Sequence, residues 1–137
     1  MKRFVDTNVF LRFLLADHPT MSPQARHVFE RARDGKLDLY TTELVVAELE
    51  WVLRSFHKQS KEMICENIST LLACANLEIS GKRILRDALT IYKEKNIDFV
   101  DAYHASLVCT NGENTLISFD QDFDKLSELT RTDPKSL

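Results

Sequence analysis

Apolar positions change their spacing repeatedly along the chain, and each change marks an element. Met1 to Asn8 open as a short strand through Phe4 and Val5 that ends in Asp6 and passes directly into a helix. Val9, Phe10, Leu11, Phe13, Leu14 and Leu15 are apolar round most of a helix, as expected of one packed on a sheet, with Arg12 as its one charge. Asp17-His18-Pro19 breaks it. Ser22-Pro23 then predicts a second helix, Ser22 as N-cap and Pro23 in the first position, ending at Asp34-Gly35. Leu37 to Thr41 alternates apolar and polar and predicts a second strand. Thr41 or Thr42 caps a third helix running to about His57. A fourth starts near Ser60, with Met63, Ile64, Ile68, Leu71 and Leu72 on one face. Leu77-Glu78-Ile79 predicts a short third strand. Ile84, Leu85, Ala88 and Ile91 give Gly81 to Lys95 an amphipathic helical pattern, and another helix begins near Phe99. Beyond the Asn111-Gly112 turn, Thr115 to Phe119 predicts a strand, followed by a helical turn from Asp122 and an edge strand near Leu129 to Thr132.

Short strands separated by helices predict an α/β fold with a short central parallel sheet flanked by helices on both faces. At 137 residues, the chain is expected to be a single domain over residues 1–137. With only 3 Gly and 3 Pro it has no linker or low-complexity tract, and no internal repeat is visible. The net charge of -3 argues against a simple binder of nucleic acid by bulk attraction. A nuclease stays open, because bound cations would neutralise an acidic active site. Asp6, Arg12 and Asp17 interrupt any run of signal-peptide or membrane-spanning length, so the expectation is a cytoplasmic protein with no membrane contact. Cys65, Cys74 and Cys109 are odd in number and lack C-x-x-C spacing, which indicates neither a disulfide framework nor zinc. Each is expected to be a buried small hydrophobe.

Four carboxylates carry the candidate chemistry. Asp6 and Asp120 each follow a strand, and in open α/β sheets ligands bind beyond the carboxyl ends of the strands. At about 100° per residue, Val45, Leu49, Val52 and Phe56 form an apolar arc opposite Glu43, Glu50 and Arg54, with Glu48 within roughly 60° of the arc's centre. Glu48 is therefore either an ion-paired border residue or a ligand. Asp101 shares a face with Ala105 and Val108, and is either a ligand or a first-turn acid behind an Asp98 N-cap. If the four meet, each pair about 5 Å apart repels by roughly 3 kcal/mol at an effective dielectric of about 20, so protons or cations must compensate. An all-oxygen set suits Mg²⁺, or Mn²⁺ as the alternative, with a retained water as nucleophile. Thr7 and Asn8 either orient Asp6 or a metal-bound water, or cap the helix; Ser118 takes the same orienting role at Asp120. Asp122 supports the site or caps an acidic turn, and Arg12 and His104 are candidate substrate contacts.

The segments Val5-Asp6-Thr7-Asn8, Val45-Val46-Ala47-Glu48-Leu49, Asp98 to Ala105 and Leu116 to Phe123 resemble, in order and spacing, the four acidic motifs of PIN-domain nucleases, in particular VapC-type toxins of bacterial toxin–antitoxin pairs. The resemblance covers nearly the whole chain. It implies an endoribonuclease dependent on Mg²⁺ or Mn²⁺, with Asp6, Glu48, Asp101 and Asp120 as catalytic and metal-holding residues. It also implies a homodimer and a cognate antitoxin protein that covers the acidic site. Ser118 stands where Thr is frequent and keeps the hydroxyl. The expected reaction is hydrolysis of an RNA phosphodiester by a metal-activated water, with single-stranded or loop RNA as substrate. The competing readings are a PIN-like nuclease of RNA processing or DNA structure, and a non-catalytic binding module of the same fold. A phosphoacceptor domain is disfavoured by the lack of an adjacent acidic pair in the opening strand.

Overall fold

A computed structural model describes all 137 residues, Met1–Leu137. Contacts divide them into two compact units, Met1–Lys82 and Arg83–Leu137. In the first, β1 (Lys2–Phe4), β2 (Asp38–Thr41) and β3 (Leu77–Ile79) form a parallel sheet in the order β1-β2-β3. Its register pairs Lys2 with Asp38, Phe4 with Tyr40, Leu39 with Leu77, and Thr41 with Ile79. Parallel strands need long crossovers, and helices supply them: α1 (Thr7–Leu15) and α2 (Met21–Arg33) join β1 to β2, while α3 (Glu43–Ser55) and α4 (Lys61–Leu72) join β2 to β3.

Leu39, Leu77 and Ile79 are buried, while Asp38, Tyr40 and Glu78 between them face out, the alternation the sequence predicts. α1 packs on α2 and α3, and α3 on α4. Phe29 closes the first contact, with ring centroids 5.4 Å from Phe10 and 4.5 Å from Phe13. At the carboxyl end of the sheet the buried Thr41 hydroxyl donates to the Val5 carbonyl at 2.9 Å, and the Val5 N–H donates to the Tyr40 carbonyl at 2.9 Å. The end of β1, immediately before Asp6, is thereby tied to β2 from both sides of the peptide.

The second unit carries most of α5 (Lys82–Glu94), then α6 (Phe99–Thr110), β4 (Thr115–Ile117), a 3-10 turn at Gln121–Lys125, β5 (Thr130–Thr132) and a short 3-10 turn at Pro134–Ser136. β4 and β5 pair in parallel, Thr115 with Thr130 and Ile117 with Thr132. α5 and α6 are joined by the buried Ser106 hydroxyl, which donates to the Ile84 carbonyl at 2.8 Å, and by the edge-on pair Tyr92 and Phe99. No helix is long and apolar enough to cross a membrane.

Local chemistry overturns several sequence expectations. α2 starts at Met21 with Thr20 as its N-cap residue, not at Ser22-Pro23. The cause is His18, whose Nδ1 accepts from the Thr20 and Met21 N–H groups at 3.2 and 2.9 Å. Ser22 lies buried inside the helix, its Oγ accepting from the His18 N–H. Met63 is exposed, although the Ser60 cap of its helix forms as expected. Only Cys65 of the three cysteines is buried; Cys74 is half-buried and Cys109 exposed. Gly81 meets two demands at once: its φ of +67° lies in the left-handed region, and a Cβ there would collide with the Glu43 side chain.

Candidate active site

Asp6 stands one residue beyond the buried Val5, at the point where β1 gives way to α1. It occupies the N-cap position in extended conformation, φ -85° and ψ 162°, yet makes no side-chain capping bond. Its carboxylate is exposed. The capping reading of Thr7 and Asn8 fails, because Thr7 is already the first helical residue. Thr7 is 4% exposed and its Oγ1 has no hydrogen-bond partner, a desolvated hydroxyl next in sequence to Asp6. Asn8 is exposed and, with Arg12, lines a cavity of about 200 Å³ between α1 and α2. Arg12 leans toward Asp17 at 3.9 Å, and its buried Nε lacks a partner.

Glu48 is on α3, but its expected environment is wrong. The buried side of that helix is Val45, Val46, Leu49, Glu50 and Leu53, rotated by roughly 60° from the predicted arc. Phe56 is exposed, Glu50 is the buried acid and pairs with Arg54 at 2.8 Å, and Glu48 faces outward. Two of the four residues of the predicted arc are not buried: Val52 is half-buried, and Phe56, the C-cap residue after Ser55, is exposed.

Asp101 and Asp120 are brought together. Asp101 lies in the first turn of α6 behind the N-cap residue Asp98, whose carbonyl accepts from the Ala102 N–H at 2.9 Å. It is half-buried, while Ala102 and Ala105 on the same helix are buried. Burial raises its pKa above the ordinary 3.8, and the Asp120 charge, the Asp98 charge and a side-chain hydrogen bond with Asp120 raise it further, while His104 opposes them. Asp120 is fixed where β4 turns away. Its N–H donates to the Ser118 hydroxyl at 2.9 Å, and its Oδ1 accepts from the Asp122 N–H at 2.9 Å, so it caps the following 3-10 turn. Asp122 pairs with Lys125 at 2.9 Å. His104 is exposed, edge-on to Tyr103 at 5.9 Å.

The four carboxylates, at the end of the opening strand, on α3, in the first turn of α6 and past β4, all fall within the span of one family model. The model of the PIN domain family matches residues 3–129. The chain belongs to the PIN domain family. A VapC ribonuclease of Aquifex aeolicus (strain VF5) is 26% identical over 124 residues, covering 90% of this chain and 91% of the relative. A crystal structure of Mycobacterium tuberculosis VapC20, described as a Sarcin-Ricin loop cleaving toxin, aligns with 93% of this chain and 95% of its own at 20% identity and a TM-score of 0.37.

In this PIN chain no group of three or more His, Cys, Asp or Glu side chains stands in an arrangement that would hold a metal ion. The paired carboxylates of Asp101 and Asp120 nonetheless suit a hard cation: both donors are oxygens, their proximity needs a shared positive charge, and Mg²⁺ is commonly held by one or two carboxylates while keeping waters. One residue beside this pair escapes a reading of the sequence. Arg131 grips Asp124 through two bonds, at 3.0 and 3.1 Å, and donates to the Ser118 carbonyl at 2.9 Å, which fixes the strand end that presents Asp120. Parallel pairing of β5 with β4 puts it there, and nothing local to Arg131 announces it. Asp98, legible in the sequence as the N-cap of α6, adds its charge to those that raise the Asp101 pKa.

Proposed function

We propose that this PIN-domain protein is a metal-dependent endoribonuclease, the toxin of a toxin–antitoxin pair. The observation that carries the reading is the contact between Asp101 and Asp120, two acids that repel in isolation yet are held together at the start of a helix and the end of a strand. Membership of the PIN family and the likeness to a VapC ribonuclease support the choice of RNA as substrate. Asp101 and Asp120 would hold Mg²⁺ or Mn²⁺, with Asp6 and Glu48 as the further acids proposed for the set. A cation held there would supply Lewis-acid charge for a phosphate oxygen and a water of lowered pKa.

The chain's own part is positional. Thr41 and the Val5 peptide fix the backbone ahead of Asp6, while Ser118 and Arg131 fix that of Asp120. In the reaction, water oxygen bonds to phosphorus as the bond to the 3′ oxygen breaks. The proton lost by water is matched by one gained at that oxygen, leaving a 5′-phosphate and a 3′-hydroxyl. Arg12 and His104 are proposed to contact the substrate, the active form to be a homodimer, and a cognate antitoxin to cover the acids.

The test is cleavage of a mixed RNA pool by purified protein with Mg²⁺, with Mn²⁺ and with chelator, beside Asp6→Asn. Metal-dependent cutting that the variant loses is the expected result. Equal cutting by both proteins would remove Asp6 from the mechanism.

A further inference from the structure

One turn of α3 beyond Glu48, the helix exposes aromatic surface that the core does not use. Trp51 is 49% exposed and Phe56 69%, and their rings meet edge to face at 5.4 Å. Helical spacing puts Glu48 three residues before Trp51 and Arg54, whose Nε donates to Glu50, three residues after it. The run Trp51-Val52-Leu53-Arg54-Ser55-Phe56-His57-Lys58-Gln59-Ser60-Lys61 carries no acid and three cations, Arg54, Lys58 and Lys61, of which Arg54 is ion-paired with the buried Glu50. Arg54, His57 and Lys58 are all exposed.

We propose that the C-terminal end of α3 is a platform for single-stranded RNA, on which Trp51 and Phe56 stack unpaired bases while Lys58 and its basic neighbours hold the phosphates leading to Glu48. The inference rests on the ribonuclease reading and adds where the strand lies. Every base offers a π-face, so exposed aromatics flanked by cations bind single strands with little sequence preference. A duplex hides those faces. A second copy of the chain fits this face less well, because a twofold contact sets a patch against itself and would oppose basic groups to basic groups.

Trp51 is the one tryptophan of the chain, so its emission reports on this surface alone. Asp6→Asn protein, which leaves the RNA intact, is titrated with single-stranded oligoribonucleotides of mixed sequence and with the same strands as duplex. The single strands are expected to quench Trp51 saturably and the duplex is not. Trp51→Ala should weaken binding by about 5- to 100-fold, the range for loss of one stacked base, while Trp51→Phe stays within a few-fold of the parent. In the wild-type background Trp51→Ala should raise KM more than it lowers kcat. Lys58→Gln should weaken binding of all strands and reduce its salt slope by about one.

Unchanged RNA affinity in correctly folded Trp51→Ala, with wild type still cleaving, overturns the platform and leaves the ribonuclease reading standing. Emission that ignores RNA but shifts with protein concentration overturns it in favour of a contact between copies. Wild type that neither binds nor cleaves RNA removes both.

Discussion

Replacing Asp101 with Asn is expected to stabilise the fold while abolishing activity. The Asp120 charge lies close enough to raise the Asp101 pKa, and two unit charges about 4 Å apart repel by roughly 1 kcal/mol in bulk water and roughly 4 kcal/mol at an effective dielectric near 20. Because Asp101 is half-buried, its case falls toward the lower figure, about 2 kcal/mol. The substitution also forfeits about 0.3–1 kcal/mol, because a first-turn acid complements the dipole of α6. The net gain at pH 7 without metal is about 1 kcal/mol, or roughly 3–5 °C in Tm for a chain of this size.

The pH dependence carries the stronger test. Asp101 has a raised pKa in the folded chain, so between the ordinary value of 3.8 and its own the folded state binds more protons than the unfolded, and stability falls as pH rises through that window. Below 3.8 wild-type Asp101 is protonated in both states and the advantage of Asn disappears. Thermal melts of wild type, Asp101→Asn, Asp120→Asn and the double variant at pH 7 and pH 3, in chelator, give the coupling directly. A variant less stable than wild type at pH 7, or an advantage that persists at pH 3, would refute the reasoning.

Thr7→Val removes a buried hydroxyl that has no partner and keeps the shape, so stability should hold or rise by up to about 1 kcal/mol in a urea melt, while cleavage falls if the hydroxyl supports Asp6. Thr41→Val leaves the Val5 carbonyl without its buried donor and should cost about 1–2 kcal/mol, seen as a lower urea midpoint with unchanged slope. Arg131→Ala should lower Tm and cleavage together. Since Arg131 holds the Asp124 carboxyl below its ordinary value, that stabilisation is present above pH 3.8 and is lost in acid, so the difference from wild type should narrow below it. Mg²⁺ at about 100 times its dissociation constant should stabilise wild type by about 2.7 kcal/mol and leave the Asp101→Asn, Asp120→Asn double variant unmoved in a thermal-shift titration.

Much of this protein follows from local pattern. The alternation of Leu37 to Thr41 and of Leu77 to Ile79 predicts β2 and β3, and the runs between strands predict the crossover helices, because a period of about two or about 3.6 residues is set by backbone geometry alone. The ends of strand-like segments likewise mark Asp6 and Asp120 as candidates before any packing is known. What the pattern misplaces lies where a side chain from elsewhere decides. His18 starts α2 two residues earlier than Ser22 predicts, because an imidazole nitrogen two residues before Thr20 satisfies the free N–H groups. The buried side of α3 is turned so that Glu50, partnered by Arg54, goes in and Glu48 faces out, a choice made by the helices packed against it rather than by the apolar count. Only the tertiary structure brings Asp120 to Asp101, and Arg131 to Asp124 and the Ser118 carbonyl, because those approaches are made between elements through parallel pairing and helix packing, for which a linear pattern holds no distance.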